Sequence, residues 1–452
     1  MTRFRGPAAV AVLVLLAPSL ASAQVEAEAN APASADQITD IPPPDFWEGG
    51  GVRIGEDTVL HPNVTLVGAY QPNVFFQDSR DLPSGPISSP LLRIGVGASW
   101  GSLTPGRMDL EAPTSDSARP RFSFHLDGGV TWYQYLSSNS DVTSQDDLGI
   151  QFLGDAVFNP QGVLSLELSD GFVRNVAPGQ QLRENADRDE NQLSATVHFR
   201  PGGGALDLYL GYQFVVDVFE ASILDYDDRI SHYATLGIGW QWLPHTLLKL
   251  QGTAGLVNPN NTDFKSKSKP VTVTLTASSL LTPVFGAIVS GGYGNGFYDT
   301  GENVSTWLAT AELRYAIGPT LRSAIGYTHG FADALIGNFY IDHTIYGRVS
   351  AQLGARWQAR ALGEIRFRSY GGIHDAMDLL FCGDASCPKT RSDTLPRLEV
   401  GTDYALTPWL ILGASYLIQN DTTDFFVQGT NGDRDYGAYT WQEFDLRITA
   451  KW

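Results

Sequence analysis

Three side chains near the middle of the chain have the types needed for acid–base chemistry. Asp227, Asp228 and His232 stand close together, and a carboxylate that orients an imidazole is an arrangement used in general-base catalysis. However, the sequence has no His-Glu-x-x-His motif and no glycine-rich phosphate-binding loop. The eight histidines are scattered along the chain, and acidic loop residues of this kind are common. The sequence therefore predicts that the protein is not an enzyme and uses no cofactor.

The two cysteines, Cys382 and Cys387, stand in one long segment between predicted strands. Two cysteines with this spacing could form half of a zinc site, but no second pair of cysteines or histidines accompanies them. In an oxidising compartment a local disulfide is the better interpretation. We therefore predict a Cys382–Cys387 disulfide and no metal site.

Charged side chains of both signs recur at every second position of several segments. The predicted lumen charge cluster consists of Arg348, Arg356, Arg360, Glu364, Arg366, Arg368, Arg397, Glu399 and Asp403. Similar positions elsewhere are Asp127, Glu167, Asp207, Glu312, Arg314, Arg322 and Asp342. An arginine or lysine facing lipid at mid-depth would cost about 2–4 kcal/mol, so these side chains must face an interior. Two roles stay open: a ladder of salt bridges that stiffens the wall, which the interleaved signs favour, and a basic stripe that guides an anionic solute.

Such positions require strands with two different faces. From about residue 59 to Trp452, apolar and polar residues alternate in long stretches separated by turn residues, as Leu208 and Leu210 alternate with Asp207 and Tyr209. We predict about eighteen strands, with sixteen possible, in an all-β, antiparallel, up-and-down transmembrane barrel.

A soluble sandwich would also alternate, but three features favour a barrel in a membrane. The strands are long enough for a tilted crossing of the hydrocarbon. Aromatic residues gather near strand ends, at Trp100, Trp132, Trp240, Trp242, Trp307, Trp409 and Trp441. Even-to-odd connections are tight, as at Gly354 and Thr407-Pro408, whereas odd-to-even connections such as 177–189, 217–229, 371–394 and 420–439 are long. The long 102–120 connection breaks this rule.

The beginning of the chain predicts export. Arg3 and Arg5 precede an apolar run, and Ala21-Ser22-Ala23 matches a cleavage pattern. A membrane anchor is the alternative, but the run is too short to span a bilayer. We predict a signal peptide at 1–23, a flexible periplasmic leader at 24–50 and an outer-membrane β-barrel at 51–452, with both termini in the periplasm of a Gram-negative cell.

Composition excludes one class of partner. The chain has 30 Lys+Arg against 49 Asp+Glu, a formal net charge of −19, which makes nucleic acid an unsuitable ligand. No later segment has enough consecutive apolar residues for a membrane-spanning helix. The predicted partners are outer-membrane lipid and the transported polysaccharide or small solute.

The last strand carries apolar residues at every second position and ends on an aromatic residue. These residues are Phe444, Leu446, Ile448, Ala450 and Trp452. The pattern looks like the C-terminal signal read by the barrel assembly machinery, although phenylalanine is the usual last residue. An ordinary last strand is the alternative, and we favour the assembly signal.

Part of the sequence near residue 53 resembles a known family. The residues are Arg53-Ile54-Gly55-Glu56, Leu60-His61-Pro62 and Tyr70-Gln71-Pro72-Asn73-Val74-Phe75-Phe76. They are similar to the opening of the outer-membrane β-barrel porin type 2 family. Several such barrels are similar to the integral outer-membrane components (Wzp type) of polysaccharide export systems. The resemblance implies a periplasmic export protein as a further partner.

Taken together, these observations predict an outer-membrane channel. The expected function is an exit pore for a secreted polysaccharide. The alternative is a diffusion porin for sugars or other small solutes. A structural or adhesive barrel with partner-binding loops is a third class. The acidic 217–229 and 420–439 loops could fold over the mouth or repel each other in water.

Overall fold

The structure is a computed structural model that describes residues 51–54, 58–78, 85–102, 121–160, 162–176, 187–202, 204–317, 320–373, 390–428 and 434–452. The predicted signal peptide, leader and Cys382–Cys387 disulfide lie outside these residues, as does most of the 102–120 connection. The signal peptide, the leader and the disulfide therefore remain predictions from the sequence.

Eighteen long antiparallel strands form one closed barrel, which confirms the predicted fold class and strand count. Strands β1–β18 are Thr58–Gln71, Ser89–Ser102, Phe122–Tyr135, Asp147–Phe158, Leu164–Asn175, Arg188–Phe199, Leu206–Phe219, Arg229–Leu243, Thr246–Pro259, Val271–Thr282, Phe285–Asn295, Ser305–Ile317, Leu321–Asp333, Phe339–Leu353, Trp357–Gly371, Arg391–Thr407, Leu410–Asp421 and Tyr439–Lys451. The two-residue segment Val52–Arg53 extends the sheet beside β1. Each strand pairs with its sequence neighbours, and β18 pairs with β1.

The residues of the family-like segment help to close the barrel. Asn73 follows β1 and is almost fully buried. Its side-chain amide donates to the carbonyl of Thr440 on β18 at 3.0 Å, and to the carbonyl of Gln77 at 2.8 Å. The Asn73 Oδ1 accepts from the Gln77 amide at 2.8 Å. One side chain therefore fixes the turn after the first strand and ties it to the last.

The two ends of the barrel differ as the sequence predicts. Tight connections follow β4, β6, β8, β10, β12, β14 and β16, and we call this end the turn end. Gly354 turns the chain after β14 with a φ of 72°, a conformation that side chains other than glycine disfavour. The opposite end carries most of the long connections and is called the loop end, whereas the long connection from β2 to β3 belongs to the turn end. A short helix, Ser140–Thr143, and a 3₁₀ helix, Ser222–Asp227, lie in its loops, and Phe426–Gln428 pairs with Arg434–Tyr436.

The outer surface of the wall is apolar. Leu210, Leu236, Leu275 and Ile325 are among many large apolar side chains that point outward and are more than half exposed. A soluble protein rarely exposes so large a continuous apolar surface, whereas a transmembrane barrel needs one. No helix among the described residues is long and apolar enough to span a membrane. The chain is an outer-membrane β-barrel.

Exposed tryptophans lie close to strand ends, as predicted. Trp132, Trp240, Trp242, Trp307 and Trp409 are all outward and exposed, where aromatic rings meet the membrane–water boundary. Trp441 differs because it stacks on Phe76, a buried residue after β1, with ring centroids 5.3 Å apart. The alternation placed Trp441 at a strand end but could not show which loop would cover it.

Candidate functional site

The predicted lumen charge cluster is spread over the inward faces of β14, β15 and β16. Arg360 Nη1 lies 3.0 Å from Asp403 Oδ2 on the next strand. Arg368 binds Asp342 with two nitrogens, each at 2.8 Å, and its guanidinium carbon lies 3.7 Å from the ring centroid of Tyr340. Both contacts cross between neighbouring strands, as a salt-bridge ladder requires.

Other members of the cluster pair along their own strand. Arg366 Nη2 lies 2.8 Å from Glu364, and Arg397 Nη2 lies 3.1 Å from Glu399. Arg366 therefore contacts a β15 carboxylate and not Glu399 of β16. Arg356 is not in the cluster, because it lies in the tight turn before β15 with an exposed side chain.

A glycine allows one cluster residue to reach a third strand. Arg447 of β18 and Asp403 of β16 form an ion pair across the intervening β17. The residue between them is Gly413, and a Cβ added there would lie 2.5 Å from Asp403 Oδ1. Asp403 consequently binds both Arg360 and Arg447. Sequence reasoning missed this link because partners two strands apart leave no local signal.

A second inward ion cluster spans the seam where the barrel closes. Arg93 of β2 lies 2.8 Å from Glu443 and 2.5 Å from Asp445, both on β18. Strand β1 runs between them, and its Gln71 also donates to Glu443 at 2.5 Å. No local pattern marks these residues in the sequence, although each stands at an inward position of its strand.

The loop end of the barrel is crossed by packed loops. Leu224 and Tyr226, in the loop after β7, are buried in one apolar core with Ile336 and Phe425. The Tyr226 hydroxyl donates to the Leu335 carbonyl at 3.1 Å. Phe425 follows β17, which is nine strands from β8 in an eighteen-stranded barrel. The loops of opposite walls therefore meet across the mouth.

Buried charges fix these loops to the wall. Lys265, in the loop after β9, is 1% exposed, and its Nζ lies 3.1 Å from Asp227 and 2.9 Å from Asp333. Arg229 of β8 joins Asp333, at 2.5 Å, to Asp217 of β7, at 2.7 Å. Burial raises the pKa of the Asp227 carboxyl, although Lys265 and Arg229 act to lower it. We call Lys265, Asp227, Asp333 and Arg229 the loop lock.

The 217–229 loop was predicted either to fold over the mouth or to be held apart from other loops by charge repulsion, and the structure distinguishes the two. Its acidic residues do not simply repel other loops in water, because Asp217 and Asp227 are buried and paired with cations. Lys265 gave no sequence signal, since it stands among other lysines in a polar loop. A buried lysine is recognisable only when its neighbours in space are known.

Several solved structures are similar to this chain in fold. Pseudomonas aeruginosa OccK2 (OpdF) matches with a TM-score of 0.46 and 10% identity, covering 87% of this chain and 97% of that chain. Acinetobacter baumannii OccAB3 matches with 0.45 and 11%, covering 87% and 99%. The outer membrane protein OpdK from Pseudomonas aeruginosa matches with 0.45 and 10%, covering 87% and 98%.

Similarity at this level identifies neither a family nor a solute for this chain. No protein-family model matches the sequence, and no curated protein does. The resemblance to the type 2 porins and to the Wzp-type barrels therefore stays a prediction.

The candidate acid–base residues are separated in the structure. His232 Nδ1 lies 2.8 Å from the Tyr212 hydroxyl, on the outward side of the wall. Asp227 belongs to the loop lock, and an Asp228 carboxylate oxygen accepts from the backbone amide of Phe219 at 2.7 Å. The three side chains are thus held by different partners and form no catalytic dyad.

One further hydrolase-like pattern is present, at Gly97-Ala98-Ser99-Trp100-Gly101. In serine hydrolases this spacing forms a sharp strand-to-helix turn that exposes the serine. Here Ser99 lies within β2 and is paired on either side with His61 and Asp127. A straight strand cannot present the hydroxyl in that way, so the match is a coincidence of spacing.

Three carboxylates near the loop end come close enough to hold a cation. The oxygens of Asp147, Asp187 and Glu220 lie within 4.8 Å of one another. The Arg174 guanidinium is 3.0 Å from Asp147 and 2.8 Å from Glu220. Arginine therefore supplies positive charge at this point of the wall.

Proposed function

We propose that the protein is an outer-membrane diffusion channel for small polar solutes. The observation that carries this proposal is the loop-end core, in which Leu224 and Tyr226 from one wall pack with Phe425 from the opposite wall. A pore crossed by buried, ion-paired loops admits small molecules beside the loops and excludes a thick polymer.

The polysaccharide-export function, expected from the family resemblance, is less well supported. A polymer chain would need the loop core to open and the loop lock to break. Breaking one partner out of a buried ion pair typically costs about 3–5 kcal/mol, because the remaining charge stays buried. The periplasmic export protein that the family resemblance implies as a partner belongs to this second function.

We further propose the predicted orientation, with the termini and tight turns in the periplasm and the loop end outside. Outer-membrane barrels have short periplasmic turns and longer external loops, which matches the two ends of this wall. In this orientation the loop lock faces incoming solutes.

A size-exclusion experiment tests the channel function. Purified protein in liposomes should admit glucose and exclude a large dextran. The double variant Leu224→Ala, Phe425→Ala should raise the size limit, because its loop core is weakened. A strain that lacks the protein should keep its surface polysaccharide and lose uptake of small solutes. Normal small-solute uptake together with loss of surface polysaccharide would instead establish export.

A further inference from the structure

The lumen has two walls of unlike charge at the same end of the barrel. In a closed barrel of eighteen strands, a strand faces the one nine positions away, so β5 lies opposite β14. Glu167 stands three residues from the turn end of β5, and Arg348 stands five residues from the turn end of β14. Both are inward positions. Leu164, three residues before Glu167, and Val349, next to Arg348, are exposed on the outward face, and alternation places Glu167 and Arg348 on the opposite face. Glu167 and Arg348 consequently face each other across the lumen.

Both side chains project into the lumen and are not buried in the wall. Glu167 is 43% exposed, and its nearest ionisable partner is His198, at 3.7 Å. Arg348 is 47% exposed and lies 3.3 Å from Glu312. That carboxylate is already bound by Arg314, so it neutralises Arg348 only in part. The charges of Glu167 and Arg348 are therefore available to a solute in the lumen.

Three further carboxylates stand on the same side of the lumen as Glu167. Asp127, Asp155 and Asp207 stand at inward positions near the turn ends of β3, β4 and β7. Cationic groups of the described residues on this side include Arg200, 3.3 Å from Asp207, Lys249, which lies over the Tyr209 ring, and Arg121, which immediately precedes β3. Two histidines complete the group: His125 pairs with Asp127, and His198 pairs with Asp207. We call this side of the lumen the acidic wall.

The neighbours of Arg348 are mostly basic. Inward arginines at the same end include Arg314 on β12, Arg322 on β13 and Arg360 on β15. Among the described residues near the turn end, the carboxylates Glu312 and Asp403 are each bound by two arginines, so positive charge is left over. We call this side the basic wall.

Opposed walls of unlike sign create an electric field across the lumen, and low-dielectric walls concentrate such a field. A singly charged anion is attracted by the basic wall and repelled by the acidic wall. A singly charged cation is attracted by the acidic wall and repelled by the basic wall. A molecule that carries both charges is attracted by both walls when it is aligned with the field. Resting on the proposed function, we infer that this channel selects small zwitterions, with the anionic group toward Arg348 and the cationic group toward Glu167.

Flux through the protein in liposomes tests this inference with three solutes of one carbon skeleton: 4-aminobutyrate, butyrate and butylammonium. The wild type should pass 4-aminobutyrate roughly threefold faster than either singly charged solute, or more. Glu167→Gln and Arg348→Gln should each reduce that preference. The exchanged variant Glu167→Arg, Arg348→Glu should lose the preference altogether, because each exchanged charge opposes the remaining charges of its own wall.

The outcomes separate the inference from the function on which it rests. Lys269→Gln, which removes an exposed loop charge paired with Asp299, is the matched control and should behave as the wild type. Equal flux of all three solutes in the wild type, or an exchanged variant that keeps the full wild-type preference, would overturn the zwitterion inference and leave the channel standing. A wild type that passes none of the three and no glucose would overturn the channel itself.

Discussion

The Tyr209 hydroxyl of β7 donates to Gln251 Oε1 of β9 at 2.8 Å by crossing over Gly237 of the strand between them. A Cβ added at Gly237 would lie 2.0 Å from the Tyr209 ring, so only glycine leaves room for the crossing. Tyr346 reaches Glu312 over Gly326 in the same way, at 2.5 Å. Glycines in this wall thus let long side chains join strands that are not neighbours.

Gly237→Ala should destabilise the barrel, because the methyl group displaces the Tyr209 ring. Overpacking of this kind costs about 1–3 kcal/mol. Urea unfolding in lipid vesicles measures the loss, which should largely disappear in a Tyr209→Ala background. Gly239→Ala is the control on the same strand, since its nearest neighbour atom would be 3.6 Å away. Equal losses at 237 and 239 would show that the crossing does not matter.

Neighbouring residues of β15 should respond oppositely to charge. Ala361 pairs with Val349 and Val400, both lipid-facing, so Ala361→Arg should cost about 2–4 kcal/mol near the midplane. At position 360 arginine is native and binds Asp403. Arg360→Leu should weaken the wall less, because Asp403 keeps Arg447. The amount of folded barrel in vesicles measures both effects, and equal tolerance of arginine at 360 and 361 would contradict the assigned faces.

Lys265→Met should open the loop end. It removes the buried amine and leaves Arg229 as the cation that the described residues place beside both Asp227 and Asp333. We expect larger single-channel conductance and faster entry of larger sugars. Lys269→Met is the control in the same loop, because Lys269 is 57% exposed and pairs only with exposed Asp299. Unchanged conductance in Lys265→Met would mean that the loop lock does not restrict the mouth.

The orientation of the wall is testable with epitope tags. A tag at Ser386, in the long connection after β15, should bind antibody on intact cells. A tag at Gly354, in the tight turn at the other end, should bind only after the outer membrane is broken. The opposite result would reverse the proposed orientation. The Cys382–Cys387 pair should also be oxidised, so a thiol assay that finds both cysteines reduced in native protein would exclude the disulfide.

The C-terminal residue should matter for assembly more than for packing. Trp452 is 50% exposed, with its backbone amide bonded to the Pro62 carbonyl at 3.0 Å. Trp452→Ala should lower the amount of protein in the outer membrane, and Trp452→Phe should restore it. Trp409→Ala is the control, because Trp409 is 49% exposed at the same end of the barrel. Similar loss from both alanine variants would favour an ordinary last strand.

The faces and the order of the strands follow from the sequence alone. Side chains alternate between the two faces of a strand, so Leu208 and Leu210 had to lie on the side opposite Tyr209. Glycine at 354 and proline at 408 marked tight turns, because each restricts or permits particular backbone angles. Sequential antiparallel pairing then required no further information, since every connection joins neighbours.

The tertiary structure decided which residues meet across the barrel. Leu224 and Phe425 are far apart in sequence, and they pack together only because β18 pairs with β1 and brings opposite walls to a fixed separation. Lys265 could be identified as buried only once Asp227 and Asp333 lay beside it. Alternation shows which way a side chain points, but a partner two or nine strands away depends on barrel closure, which no local pattern records.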